Sequence, residues 1–439
     1  MAHDNERILD ANPTKDFFIR MLIKDIELTR AIIDLVDNSV DGALRIRDGK
    51  NFVGLTVRIE ATPLRFRISD NCGGISVELA RKYAFRFGRP DEMPLVNHSV
   101  GQFGVGMKRA LFKLGSKFIV ESKTENSRFV VEEDVNEWKA QKEWQFYFKE
   151  LEIDVNVPED QRGTLITVEP LQPNVAEDFG LEFFLSRLRH EISLAHHQTM
   201  ERGLAITLNG IPIKIHPMEL LSSDELKPAF SEKRFDYKGS SVQVKIYAGI
   251  ANPLPSEAGW YIYCNGRMVM GADQTITTGW GEGSGSTIPK YHNEFARFRG
   301  YVFFDSDQTG LLPWNTTKTG VDADSPIFRA TRLEMIALMR PVLDFLRRVS
   351  TERQIEEDHK PLQDAIDHAI SSSVANAQTS YVFLSPKPTW KPPAPRLGRI
   401  QYNEPLEKIS KAKKALKVTS LKEVGEKTFD YFYKKECED

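Results

Sequence analysis

Leu28, Ile32, Leu35, Val36, Val40 and Ala43 recur at helical spacing. The pattern predicts an amphipathic helix with one face turned inward. Asp34, Asn38 and Asp41 fall at i, i+4 and i+7, so they share another face of the same helix. Alternation over residues 55–60 and 64–69 predicts two half-buried strands. Further strands are expected near 117–122, 128–133, 145–150 and 164–169, before a break carrying Pro170 and Pro173. A helix follows over 181–200, then strands over 204–208 and 242–250. The glycine-rich stretch 279–286 has no helix behind it and reads as a plain loop. Residues 331 to 370 read as helical, with Leu333, Ile336, Leu343 and Leu346 on the apolar side. Residues 371–395 carry Pro386, Pro388, Pro392, Pro393 and Pro395, which predicts a semi-rigid extended linker. A small lysine-rich helical element closes the chain over 405–439. Its lysines alternate with Glu404, Glu407, Glu423, Glu426 and Glu436, as on an exposed helix.

Three polar stretches punctuate the first part of this pattern. A carboxylate, an amide and a second carboxylate on one helix face can hold a hydrated hard cation and orient a water. Magnesium wants about six oxygens, with waters and substrate phosphates completing the shell. A solvated polar face has the same composition. Asp70 then ends the second strand, followed by Gly73 and Gly74. A carboxylate there can accept from a base amino group, and the missing side chains let a flat ring approach the backbone. A simple turn capping a hairpin gives the same residues. Finally Gly101, Gly104 and Gly106 lead into a helix predicted over 107–114. Glycines before a helix N-terminus can form a phosphate nest, although a lone glycine-rich loop is also an ordinary surface feature. Two familiar phosphate patterns are excluded. Gly106 is followed by Met107, Lys108 and Arg109 rather than by Lys and Ser or Thr. Arg109 also stands where a dinucleotide fingerprint needs its third glycine.

Taken together, the order and spacing of these stretches resemble the GHKL superfamily of ATPases (gyrase, heat-shock chaperone, histidine kinase, MutL). The resemblance implies an α+β fold. Its first part would be a two-layer α/β sandwich ATPase of Bergerat type, with helices on one face of a mixed, mostly antiparallel sheet. A second, transducer-like α/β domain and the C-terminal helical element would follow. It implies that Asp34 activates the attacking water, that Asn38 binds magnesium, and that Asp41 faces the same nucleotide. Asp70 would contact adenine, with Gly74 completing that motif. Gly101, Gly104, Val105, Gly106, Met107 and Lys108 would form the lid over the phosphates. Gly163-Thr164 matches a fourth motif and puts Thr164 on the adenine side. Two positions depart from the family pattern: Asp34 replaces the usual Glu and is one methylene shorter, and Cys72 occupies a usual glycine position.

The resemblance reaches further along the chain. Residues 259–267 resemble the Tyr-x-Asn-x-Arg strand of microrchidia and MutL-type proteins, ending in Asn265 and Arg267. Lys318 resembles the lysine that two-domain members return to the γ-phosphate. The domains expected are an ATPase domain with an N-terminal arm over 1–174 and a transducer-like domain over 175–350. A helix and proline-rich linker over 351–400 and the helical element over 401–439 complete them. Phe17 and Phe18 of the arm are candidates for packing on a partner protomer or on their own domain.

Composition narrows the function classes. The 439 residues carry a net charge of −3, with 41% hydrophobic and 28% charged residues. That is an ordinary soluble balance with no global basic footprint for nucleic acid. No apolar run is long enough for a membrane span. Cys72, Cys264 and Cys437 have no metal spacing, so a reducing cytoplasm is the simplest home. The expected ligands are ATP and Mg2+, and the expected partners are a second copy on ATP binding and a DNA or protein client. A dimeric ATP-gated clamp leads over a chaperone-like ATPase and a non-hydrolysing nucleotide sensor. A histidine kinase is set aside, because no histidine occurs between His3 and His98 to serve as an upstream phospho-acceptor.

Overall fold

The computed structural model describes residues 13–47, 51–88, 104–237, 239–282, 288–315, 317–354, 360–387 and 400–437. The first helical pattern forms α2 (Leu28–Arg47), preceded by α1 (Lys15–Lys24). All six of its apolar positions are buried. Next come β1 (Thr56–Ala61) and β2 (Phe66–Asp70), an antiparallel pair that buries Val57, Ile59, Ala61, Phe66 and Ile68. Alternation places these side chains on one face, and the helices cover that face. A short α3 (Val77–Leu79) runs into a π-helical turn at Ala80–Ala84, and α4 (Gly106–Leu114) follows. Then come β3 (Lys117–Lys123), β4 (Ser127–Asp134), α5 (Val135–Ala140), β5 (Phe148–Ile153) and β6 (Gly163–Val168). They are followed by α6 (Pro173–Phe179), α7 (Glu182–Ala195), α8 (His197–Glu201), β7 (Ala205–Leu208) and β8 (Ile211–Pro212).

These strands make an eight-stranded sheet in the order β5-β4-β3-β6-β2-β1-β7-β8. Only β1 and β7 pair in parallel, so the sheet is mixed and mostly antiparallel. Residues of α2, α4 and α7 share one core with the strands, and that core runs on to Ile213. The sheet and core thus extend past residue 174, where the first domain was expected to end.

A second core follows. β9 (Glu219–Ser222) leads to β10 (Ala229–Tyr237), β11 (Ser240–Ile250), β12 (Gly259–Cys264), β13 (Arg267–Asp273) and β14 (Phe298–Asp305). β10 to β14 form a five-stranded sheet in the order β10-β11-β14-β12-β13. The long α9 (Pro326–Arg353) packs Met335, Leu338, Met339 and Val342 against Val244, Ile246, Ile262 and Val302 of that sheet. After it come α10 (Pro361–Asp367) and β15 (Ile370–Ser373), then α11 (Leu406–Leu416) and α12 (Leu421–Glu436). The last two form a hairpin with no buried residue, and Ser420 and Glu423 close a capping box at the start of α12.

Several expected boundaries move. The helix expected from 331 starts at Pro326, where Ser325 caps the Phe328 N–H and proline suits the first turn. Leu333 is 69% exposed, because the buried stripe runs through Met335, Leu338 and Val342 instead. The helix expected over 181–200 breaks at His196, whose φ of −117° and ψ of 22° leave the helical region. The strand expected over 145–150 lies at Phe148–Ile153, with an irregularity in its pairing between Val130 and Val131. The Gln145 carbonyl accepts from the Trp138 indole N–H at 3.0 Å, and residues 144–147 form an irregular lead-in to the strand. The linker expected from 371 opens as β15, which pairs antiparallel with β9. Residues 388–399, with Pro388, Pro392, Pro393 and Pro395, lie outside the described residues, as do 283–287 of the glycine-rich loop.

Residues 1–12 of the expected N-terminal arm lie outside the described residues, and α1 is tied to its own domain. Lys15 donates to the Trp138 and Glu143 carbonyls at 2.7 and 2.6 Å, and its ammonium lies 4.1 Å from the Trp138 ring centre. Phe18 packs edge-on to Phe87 and Trp144, while Phe17 is exposed.

Candidate functional site

One cavity opens between α2, the turn after β2, the π-helical turn and the start of α4. Its lining includes Asp34, Asn38, Asp41, Asp70, Gly74, Gly104, Val105, Gly106, Met107, Lys108, Thr164 and Lys318. Every site residue expected from the sequence is therefore on one wall or another, apart from Gly101, which lies outside the described residues.

The Asp70 end is built from three elements. β2 delivers the carboxylate, and antiparallel β6 sets Thr164 opposite it. Oδ2 accepts from the Ser39 hydroxyl at 2.7 Å, while Oδ1 accepts from the Cys72 N–H at 2.9 Å and the Thr164 N–H at 3.3 Å. A carboxylate has about four acceptor positions, so one remains for a ligand donor. Burial pushes the Asp70 carboxyl up from its ordinary value, and the bonds from Ser39, Cys72 and Thr164 oppose that push. Ser39 was not among the expected site residues, although it lies one position after Asn38.

Two glycines make this end possible. A Cβ at Gly163, whose φ is 148°, would lie 1.9 Å from the Asp70 carbonyl oxygen. At Gly74, with φ of 72°, it would lie 2.3 Å from the Lys123 carbonyl oxygen. Both neighbours are backbone and cannot yield. Gly163→Ala is therefore expected to lower the melting temperature, since a disfavoured backbone conformation alone costs about 1–3 kcal/mol. An unchanged melting curve would show that β6 and the Asp70 turn can separate without harm.

The opposite end is ionic. The Arg109 guanidinium donates to Asp34 Oδ2 at 2.5 Å, and Lys318 Nζ lies 4.0 Å from Asp34 Oδ1. One turn along α2, Asp37 is fully buried. It accepts from Lys318 Nζ at 2.7 Å and from Arg267 Nε at 2.8 Å, with His196 Nε2 3.3 Å away. Burial alone would raise the Asp37 carboxyl, but the charges of Arg267 and Lys318 hold it well below the usual carboxylate range. Burial pushes His196 down to about 3, so its ring is neutral. Lys108 donates to the Ala84 and Gly104 carbonyls, and burial pushes its ammonium down to about 7. That amine ties the residue at the foot of the glycine-rich segment to the π-helical turn.

Arg109, Asp37 and His196 escaped the sequence reading as site residues. Arg109 registered only as a missing glycine, and Asp37 as a neighbour of Asn38. The closing arginine of the Tyr-x-Asn-x-Arg stretch was the one available signal for the pairing at Arg267.

The residues present suit a nucleotide with magnesium. Asn38 is exposed to the cavity, and its carboxamide makes no hydrogen bond among the described residues. One neutral oxygen suits a hydrated magnesium whose other positions go to water and phosphates. Among the described residues no cluster of three or more His, Cys, Asp or Glu is arranged to hold a metal by itself. Among the described residues, too, no helix is long and apolar enough to cross a membrane.

No curated protein matches the chain. Residues 26–164 match the model of the histidine kinase-, DNA gyrase B- and HSP90-like ATPase family, and the match supports a GHKL-type ATPase domain in that part of the chain.

Proposed function

We propose that the chain binds ATP with Mg2+ in this cavity, hydrolyses it slowly, and uses lid closure and dimerisation to gate a clamp on DNA or a partner protein. The observation that carries the reading is the convergence on one cavity of Asp70, Thr164, Asn38 and Asp34 with Lys318 from beyond the first core. In this reading Asp70 accepts from the adenine amino group beside the Thr164 backbone. Asn38 holds Mg2+, which neutralises phosphate charge when bound. Asp34 takes the proton of the attacking water as its oxygen bonds to the γ-phosphorus and the bond to the β–γ bridging oxygen breaks. Lys318 donates to the γ-phosphate as a charge-assisted bond. The segment around Gly101, Gly104 and Gly106 closes over the triphosphate. The microrchidia-like form of the clamp rests on the Tyr-x-Asn-x-Arg stretch and Lys318.

The gating argument is energetic. Ordering a glycine-rich lid costs about 1–2 kcal/mol of backbone entropy per residue. Contacts to the γ-phosphate offset that cost only while the phosphate is attached. Light scattering tests the reading: a non-hydrolysable ATP analogue is expected to double the mass, and ADP to leave it monomeric. Equal mass in both states, well above the nucleotide affinity, would rule out gating by dimerisation. A second reading, a nucleotide sensor that does not hydrolyse, is favoured by the 2.5 Å bond that holds Asp34 against Arg109. A phosphate-release assay separates the two.

A further inference from the structure

Asp37 is a fully buried carboxylate whose bonded partners come from a distant part of the chain. Arg267 lies 230 residues away and Lys318 lies 281 residues away. Each is presented on a constrained backbone. Asn265 and Gly266, with φ of 47° and 79°, make the tight turn between β12 and β13 and start β13 at Arg267. The Arg267 Nη1 donates to the Met268 carbonyl at 2.6 Å, which fixes the guanidinium further. Lys318 itself has φ of 53°, a left-handed conformation that a side chain rarely adopts. Its loop is held by Asn315. The Asn315 carbonyl accepts from the Lys318 N–H, and its side-chain oxygen accepts from the Thr319 N–H, each at 3.0 Å. Strained, over-determined backbone of this kind collects at functional sites.

Among the described residues, the groups within about 3.3 Å of Asp37 are Arg267, Lys318 and His196, whose ring is neutral, and the Arg30 guanidinium adds its charge from further away. Two cations around one anion leave a positive charge at the cavity wall. The lysine that carries it also stands 4.0 Å from Asp34. Even a paired buried charge contributes little net stability, because desolvation offsets the attraction, so the arrangement points to a role beyond stability.

We propose that Asp37 is a positioning residue: it docks the β12–β13 hairpin and the Lys318 loop onto α2, and so aims Lys318 at the phosphate end of the cavity. The Lys318 half of this rests on the ATP reading above; the docking half does not. Arg267 fixes one side of the carboxylate, which leaves the other side as a directional seat for the lysine. Asp37 is buried behind the cavity lining rather than part of it, and acts through Lys318.

The test is Asp37→Asn, alone and with Lys318→Met, on the full chain. The asparagine keeps the size and removes the charge. Lys318 then loses its seat, and misplacement of a reacting group costs about a hundredfold in rate. We expect kcat for ATP to fall by that order, and affinity for a non-hydrolysable ATP analogue to fall with it. ADP lacks the γ-phosphate, so its affinity should be unchanged. In the Lys318→Met background, Asp37→Asn should cause no further fall. A second full loss there, or wild-type kcat in Asp37→Asn alone, overturns the proposal.

An unpaired Arg267 in the core threatens folding of the single variant. Asp37→Asn with Arg267→Gln removes that charge and leaves the same prediction for Lys318. If the wild-type protein binds neither ATP nor its non-hydrolysable analogue, the ATP reading fails, and hydrogen exchange without nucleotide decides the docking. Asp37→Asn should then speed exchange over residues 259–273 and 313–320; unchanged exchange overturns it.

Discussion

Asp34→Ala is expected to lower ATP hydrolysis by about 10²–10⁴-fold, the usual worth of a general base, while ATP binding survives. The two effects separate because Asp34 sits at the ionic end of the cavity, away from the bonds that build the Asp70 end. Its carboxylate already accepts from Arg109, so the variant leaves a buried guanidinium without its partner beside the place where phosphates would lie. An anionic ligand can take over that partner's role, so affinity for ATP should hold or rise. Asp34→Asn gives the matching control. It keeps an acceptor for Arg109 and loses the basic carboxylate, so it should be as inactive as the alanine variant and more stable. Phosphate release and calorimetry on the same preparations check both halves. Wild-type hydrolysis by Asp34→Ala would assign the base elsewhere. Because aspartate is one methylene shorter than glutamate, wild-type turnover itself should be slow, given how steeply rate depends on placement.

Asp70→Asn is expected to weaken adenine nucleotides about ten- to hundredfold, the equivalent of losing a charge-assisted hydrogen bond worth about 1.5–3 kcal/mol. In the variant, the amide oxygen can keep the Cys72 and Thr164 N–H groups, and the Ser39 hydroxyl can rotate to accept from the amide nitrogen. The free position then offers a donor to the ligand's amino group instead of an acceptor. The nucleotide-free protein should respond in the opposite sense. Burial raises the Asp70 carboxyl, so the folded state favours its protonated form. The stability it contributes is fully present below the unfolded carboxyl value and is lost as pH rises through the folded one. At neutral pH the ionised carboxylate burdens the empty fold, and a neutral amide removes that burden. Asp70→Asn should therefore melt at an equal or higher temperature without nucleotide and gain less from adding ATP. Equal nucleotide affinity in wild type and variant would remove Asp70 from the site.

The gap between pattern and structure follows distance along the chain. α2 was legible because its six apolar positions repeat at 3.6 residues and all face the core, so local periodicity and tertiary burial agree. β1 and β2 were legible for the same reason at period two. Where the two disagree, the pattern misleads. Leu333 fits an apolar stripe yet points to solvent, because α9 meets its sheet through Met335, Leu338 and Val342. Residues 145–147 have strand-like composition, but the Gln145 carbonyl is taken by the Trp138 indole N–H rather than by a neighbouring strand.

Local spacing was enough to pick out most of the polar groups that line the cavity and their order along the chain. Asp34, Asn38, Asp70 and the glycines near 104 sit within or beside short elements whose faces follow from spacing. How those groups are paired and held depends on contacts between distant segments. Arg109 meets Asp34 because α4 packs on α2, and β7 joins the first sheet by pairing in parallel with β1 across about 150 residues. Asp37 gathers Arg267, Lys318 and His196 from three other segments. Periodicity describes a residue's own element. Ion pairing and burial depend on which elements become neighbours, and that is settled by packing the whole chain.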